Sequence, residues 1–350
     1  MEYRKCGNTG FSLSVIGTGC WSFGGGDYWG AYNQTDVNKV VHAAVDAGIN
    51  YFDTAEAYNE GRSELSLGEA IQGIKRDKII IGSKVSPSHC YGGILEQHCE
   101  ASLKRLQTDY IDIYMIHWPV HAHSIKHFTN DEAVIARPPS KEEMFNALEG
   151  LIKAGKIRTI GVSNYSRRRM QEDIPEHITA SVNELPYNLL CRAIEQETLP
   201  YCATQHTGVI GYMTLLQGIL TDRFATLSEV PEWQRRTRHF NAAATPLSRH
   251  GGSGFEVETT AALSRIREIA RDYGTTIADI ATQWVIANPA ITCALIGART
   301  IDKLKENIRS ASVKLPADIK QALDDVTHQL KESMGNHFDY YESPENDRTL

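Results

Sequence analysis

Apolar and polar positions alternate along this chain in a repeating rhythm of two periods. Short strand-like runs, most of them apolar and uninterrupted, recur at Ser14–Cys20, Ile49–Asp53, Lys78–Lys84, Tyr110–His117, Ile157–Ser163, Thr179–Leu185, Thr207–Tyr212 and Ile291–Ile296. Runs of this length and evenness predict parallel strands buried on both faces. Between them lie stretches with a helical apolar stripe. The first starts at Thr35-Asp36, carries Val37, Val40, Val41, Ala44 and Val45 on one face, and stops at Gly48. Others are predicted at Ser63–Ile74, Ile94–Leu106, Lys141–Ala154, Arg167–Glu172, Ala193–Thr204, Glu258–Tyr273, Ile277–Asn288 and Asp302–Ser310, with a further helix at Pro316–Lys331 and a polar tail from Gly335. Before the first strand, Tyr3 to Val15 reads as a hairpin turned by Gly7-Asn-Thr-Gly10. Two connections are long, Val120–Pro139 and Thr214–Phe255.

Eight strands alternating with helices, without a shift in composition, predict a (β/α)8 TIM barrel with an N-terminal hairpin and extra helices and long loops at its C-terminal face. A single domain over 1–350 is expected, its core about 14–312, followed by the C-terminal helix and tail at about 316–350. A doubly wound sheet would carry its phosphate loop early. Gly17-Thr-Gly-Cys-Trp-Ser lacks the third glycine and runs into an aromatic loop, which argues against it.

Composition changes the picture little. With 41% hydrophobic and 23% charged residues, the chain is an ordinary globular protein, and its net charge of −7 argues against nucleic acid or an anionic membrane as partner. No apolar run approaches a membrane span. Seven cysteines stand singly, and the start Met-Glu-Tyr-Arg-Lys is not signal-like, so a cytoplasmic location is expected. His89-Cys90 and His98-Cys99 fit no common zinc spacing, so no metal is expected. The protein is expected to be a monomer or homo-oligomer.

In a barrel of this kind chemistry gathers at the C-terminal ends of strands. Here those ends are Asp53, Lys84 and His117, and Tyr58 follows in the loop after the second strand. A free phenol, with a pKa of about 10, is a poor acid–base group at neutral pH, and an adjacent ammonium lowers that value. A carboxylate beside the buried lysine keeps it charged. A histidine can orient a substrate oxygen. Such a set acts on a carbonyl that becomes an alcohol, while the hydride must come from a cofactor.

The motifs Gly17-Thr-Gly, Tyr51-Phe-Asp-Thr-Ala-Glu-Ala-Tyr58, Gly61-Arg-Ser-Glu, Gly82-Ser-Lys84, Ser102-Leu-Lys-Arg-Leu, Asp109-Tyr-Ile-Asp-Ile-Tyr-Met-Ile-His117-Trp-Pro and Gly155-Lys-Ile-Arg-Thr-Ile-Gly-Val-Ser-Asn164 together resemble the aldo-keto reductases over roughly residues 1–312. The resemblance implies NAD(P)(H)-dependent interconversion of carbonyls and alcohols, with Tyr58 as general acid and Lys84, Asp53 and His117 completing a tetrad. It places Ser163 and Asn164 against the nicotinamide carboxamide and the Tyr212 ring against the nicotinamide. The segment from Tyr212 resembles the pyrophosphate loop in Gly218 and Leu220 but departs at Met213, Thr214 and Leu216. Gly297, Arg299, Lys303, Glu306 and Asn307 match the adenosine-binding loop and last helix. Arg299 and Lys303 suggest a 2′-phosphate, hence NADPH/NADP+ over NADH. Glu184 stands where the family usually has glutamine; a carboxylate offers acceptors only, while an amide offers both kinds of group. Trp21, Trp29 and Trp118, with Phe23 and Tyr28, are expected to line a pocket for sugars or aromatic aldehydes, and the loop 221–255 is a candidate lid. The alternatives are a sugar or alcohol dehydrogenase running oxidatively and a cofactor-sensing regulatory subunit.

Overall fold

The computed structural model describes residues 1–350. Strands β1 (Tyr3–Lys5) and β2 (Ser12–Ser14) form the antiparallel hairpin. The strands β3 (Ile16–Gly19), β4 (Tyr51–Asp53), β5 (Ile80–Val85), β6 (Ile111–Ile116), β7 (Ile157–Ser163), β8 (Val182–Pro186), β9 (Gly208–Tyr212) and β10 (Cys293–Ile296) close into a barrel. Every neighbouring pair is parallel and adjacent in sequence, and β10 returns to β3 with Ala294 beside Ile16. This is the expected (β/α)8 architecture.

The helices run α1 (Gln34–Asp46), α2 (Arg62–Ala70), α3 (Ile94–Leu106), α4 (Ala122–Ile125), α5 (Glu132–Ala136), α6 (Lys141–Lys153), α7 (Arg167–Asp173), α8 (Thr198–Thr204), α9 (Glu256–Tyr273), α10 (Ile277–Ala287), α11 (Ile301–Ser312) and α12 (Ala317–Met334). Side-chain caps set several starts: Ser140 accepts from Glu143 N before α6, and Thr300 accepts from Lys303 N before α11. The cap of α1 is Asn33, which accepts from Thr35 N, so this helix starts one residue before the predicted Thr35. The connection Val120–Pro139 is not bare loop, because it holds α4 and α5.

Two apolar cores result. The larger lies between strands and helices. The smaller fills the barrel with Tyr51, Ile113, Met115, Val182, Ile210, Cys293 and Leu295, and the hairpin's Cys6 and Leu13 plug its lower end. Tyr51 is the largest of these side chains, and the sequence makes room for it with glycine. A Cβ at Gly17 would sit 2.8 Å from the Tyr51 ring, and one at Gly82 would strike its hydroxyl. Successive strand residues face opposite ways, so Tyr51 inside the barrel puts Asp53 inside it too, nearer the mouth.

The segment after α12 folds back on the barrel. Phe338 and Tyr340 are buried, and Arg348 donates to both oxygens of the buried Asp339 (2.7 and 2.8 Å). The Arg348 guanidinium lies 3.8 Å from the centre of the Trp118 ring. The polar composition read as a tail therefore conceals a buried ion pair. No helix is long and apolar enough to cross a membrane.

Candidate active site at the barrel mouth

Lys84 is fully buried at the end of β5 and reaches toward β4. Its Nζ donates to Asp53 Oδ1 and Oδ2 (2.8 and 2.7 Å) and to the Thr54 carbonyl (3.0 Å). The Tyr58 hydroxyl is 3.3 Å from the same nitrogen. Tyr51 donates to Asp53 from below (3.3 Å). The His117 ring stands edge-on to Tyr58 with centroids 5.4 Å apart, and its Nδ1 has no partner. The structure thus brings Asp53, Tyr58, Lys84 and His117 into one cluster. Tyr51 was missed by sequence reasoning, although its place two residues before Asp53 on one strand was the available signal.

Electrostatics here is governed by burial. Burial pulls the Lys84 pKa down, but Asp53 and then Glu184 outweigh it, so the ammonium is held more tightly than usual. Burial also pushes the Tyr58 phenol up; Lys84 opposes this, and Asp53 and Glu184 add to it. The sequence-based expectation of a lowered phenol is therefore reversed, because burial outweighs the lysine's charge and Asp53 and Glu184 add to it. Burial, then Lys84, hold His117 well below its ordinary value, so the imidazole is neutral at pH 7.

Beside this cluster lies a second one. Asn164 Nδ2 donates to Ser163 Oγ (3.0 Å) and to the His117 carbonyl (3.2 Å), and Tyr212 Oη donates to Asn164 Oδ1 (2.8 Å). Ser163 pairs with Glu184 across β7 and β8. Glu184 Oε2 is 3.4 Å from Lys84 Nζ, and no hydrogen bond reaches it. Gly218 and Leu220 follow β9, away from these contacts. Gly297 to Asn307 lie at the β10–α11 end, where Arg299 donates to the Trp29 carbonyl (2.8 Å) and the Ala31 carbonyl. Lys303 there pairs with Glu306 (2.7 Å), and Asn307 donates to the Gly297 carbonyl (3.4 Å).

Aromatic side chains stand over Tyr58. Trp21 is 6.0 Å from the Tyr58 ring, stacks on Tyr28 at 4.9 Å and meets Trp29 edge-on at 5.2 Å. Trp233, from the 221–255 connection, packs edge-on against Tyr28 at 4.5 Å, so this segment is docked on the mouth. Trp118 does not join the group; one face of its ring is covered by Arg348. His89 and His98 stack at 3.8 Å and share one carboxylate distant from both in sequence, each Nδ1 lying 2.7 Å from a Glu56 oxygen. Burial pushes the Glu56 carboxyl up, but His89, His98 and the Ser86 amide hold it well below the usual range.

A closed parallel barrel with a lysine, two carboxyls, a phenol and a neutral imidazole at its mouth defines a barrel enzyme equipped for proton transfer. The comparisons give the particular family. The model of the aldo/keto reductase family matches residues 15–328, and the chain belongs to that family. It is 32% identical over 321 residues to the aldo-keto reductase YhdN of Bacillus subtilis, covering 87% of each chain. Among solved structures it resembles an aldo-keto reductase from Klebsiella pneumoniae in complex with NADPH, with TM-score 0.67, 26% identity and coverage of 96% and 94%. It also resembles the glycerol dehydrogenase of Gluconobacter oxydans, with TM-score 0.72, 26% identity and coverage of 93% and 95%. The chain is an NAD(P)(H)-dependent oxidoreductase of carbonyl and alcohol groups.

Proposed function

We propose that this protein is an NADP(H)-dependent reductase of a small aldehyde, ketone or keto-sugar, with Tyr58 as the proton donor. The observation that carries this reading is the Tyr58 hydroxyl 3.3 Å from an ammonium that Asp53 holds in place. The residues present suit the cofactor. His117 Nδ1 and Glu184 Oε2 are buried polar atoms that lack a partner. Ser163 and Asn164 offer a hydroxyl and an amide for a carboxamide. The amides opening α11, with Arg299 and Lys303 alongside, suit a phosphate. When bound, the reduced cofactor supplies the hydride.

The chain's own residues then manage the proton. Neutral His117 hydrogen-bonds the carbonyl oxygen and sets its angle. Tyr58 gives that oxygen its proton as the carbon is reduced. Lys84 stabilises the phenolate left behind, and Asp53, braced by Tyr51, keeps Lys84 aimed. Burial makes the phenol slow to release its proton, and the Lys84 ammonium, which opposes that shift, is what eases the transfer. The aromatic group of Trp21, Tyr28 and Trp29 supports a substrate with a flat apolar face. The test is a panel of carbonyls and sugars with NADPH, NADH and both oxidised forms, run on the wild type and Tyr58→Phe. Expected is loss of turnover in the variant with cofactor binding intact; turnover retained by Tyr58→Phe overturns the role of Tyr58.

A further inference from the structure

An ammonium has three hydrogens to donate. Around Lys84 four acceptors already compete for them: the two Asp53 oxygens, the Thr54 carbonyl and the Tyr58 hydroxyl. None is left for Glu184, whose Oε2 waits 3.4 Å away in a buried place. The charge count is equally one-sided. Lys84 is one cation facing two carboxyls, Asp53 and Glu184. The other groups that face Glu184 are Tyr51, Tyr58, Tyr212 and Cys293, which are neutral when protonated. An ionised Glu184 would leave one uncompensated negative charge in the barrel and one unsatisfied oxygen, and both are costly. A carboxylic acid removes both faults, because it adds an O–H donor and no charge. Burial, then Asp53, push this carboxyl well above the ordinary range, with Lys84 opposing.

Glu184 also adjoins, on the neighbouring strand, the Ser163 and Asn164 attributed above to the nicotinamide carboxamide. Its main-chain carbonyl accepts from Ser163 Oγ (3.2 Å) and from the main-chain N–H of Asn164 (2.9 Å). The oxidised nicotinamide ring carries a positive charge and the reduced ring none. Resting on the NADP(H) reading, we propose that Glu184 distinguishes the two oxidation states of the cofactor: it stays a neutral acid beside the reduced ring and releases its proton when the cationic oxidised ring binds. A glutamine there has no proton to release. Binding of NADP+ then draws a proton out of the site, and binding of NADPH does not. Linkage makes NADP+ bind more tightly relative to NADPH as pH rises, by at most about tenfold per pH unit for a single proton. The 2′-phosphate titrates in both forms, so the ratio of the two affinities cancels it.

The test is a titration of the whole protein with NADP+ and with NADPH by tryptophan fluorescence, from about pH 6 to about pH 9 at fixed ionic strength. In the wild type the ratio of Kd for NADP+ to Kd for NADPH is expected to fall several-fold across this range. In Glu184→Gln it is expected to stay flat. Calorimetry of the wild type in buffers of different ionisation heat needs no variant, and is expected to show up to one more proton released with NADP+ than with NADPH. A flat ratio in the wild type, an equal slope in Glu184→Gln, or equal proton release with both cofactors overturns the proposal and leaves the NADP(H) reading standing. Binding of neither cofactor would overturn that reading, and this proposal with it.

Discussion

Lys84→Met removes the one cation from a site that is 0% exposed at the lysine and 2% at Asp53. The variant keeps the bulk of the side chain but cancels the two bonds to Asp53 and the one to Thr54. Asp53 and Glu184 are then two buried carboxyls with no counter-charge. Breaking a buried pair from one side costs about 3–5 kcal/mol. An unfolding entropy of about 2.1 cal/mol/K per residue over 350 residues makes this a fall of about 4–7 °C in Tm. The cost has a defined pH dependence. Without the cation, the folded state binds protons at this pair more tightly than the unfolded chain does. The stability is then full below about pH 4, where both states are protonated, and is lost as pH rises. Scanning calorimetry at about pH 5 and about pH 8 is therefore expected to show a deficit that widens with pH. Asp53→Asn/Lys84→Met removes a carboxylate as well and is expected to recover much of the Tm at pH 8 but none of the turnover. A single variant as stable as the wild type, or a deficit equal at both pH values, would refute the charge reasoning.

Two further outcomes follow from buried groups elsewhere. His239 is buried between the Leu190 carbonyl and the Thr237 hydroxyl (3.0 Å each), and burial pulls its pKa down to about 4. Between about 6.5 and 4 the unfolded chain binds a proton that the fold refuses, so stability is lost as pH falls through this window, by at most about 1.4 kcal/mol per unit. Denaturation midpoints at pH 7 and pH 5 are expected to differ less in His239→Gln than in the wild type. Arg348→Ala strips Asp339 of its bidentate partner and uncovers Trp118. Faster hydrogen exchange over 337–350 is expected, with partial recovery in Asp339→Ala/Arg348→Ala.

The barrel was legible because its signal is local. Ile111–Ile116 and Ile157–Ser163 are mostly apolar segments of strand length between helical stretches, and a few residues suffice to read each. The cluster of Asp53, Tyr58, Lys84 and His117 was legible for the same reason, since each stands at or just after a strand end. What escaped depends on contacts across the fold. Glu56 gathers His89 and His98 only once β4, β5 and α3 are side by side. Arg348 reaches Trp118 across most of the chain, and no periodicity in a polar tail announces a buried pair. The direction of the Tyr58 shift was misjudged because the lysine's charge was weighed without the burial of the phenol, which pushes it up with Asp53 and Glu184 adding to the rise.

Every one of the seven cysteines is unpaired and buried, and together they sample different parts of the molecule. Cys6 lies in the hairpin plug and Cys293 in the barrel interior. Cys20 follows β3 at the mouth, Cys90 and Cys99 lie before and within α3, and Cys191 and Cys202 before and within α8. Burial pushes all of these thiols up, Cys6 and Cys202 to about 12, so the folded chain is expected to resist alkylating reagents. A thiol reacts only when its own part of the structure opens. The chain thus carries a built-in set of chemical clocks. Pulsed alkylation followed by peptide mass analysis would give the order in which the plug, the mouth and the outer helices come apart, without introducing a single probe.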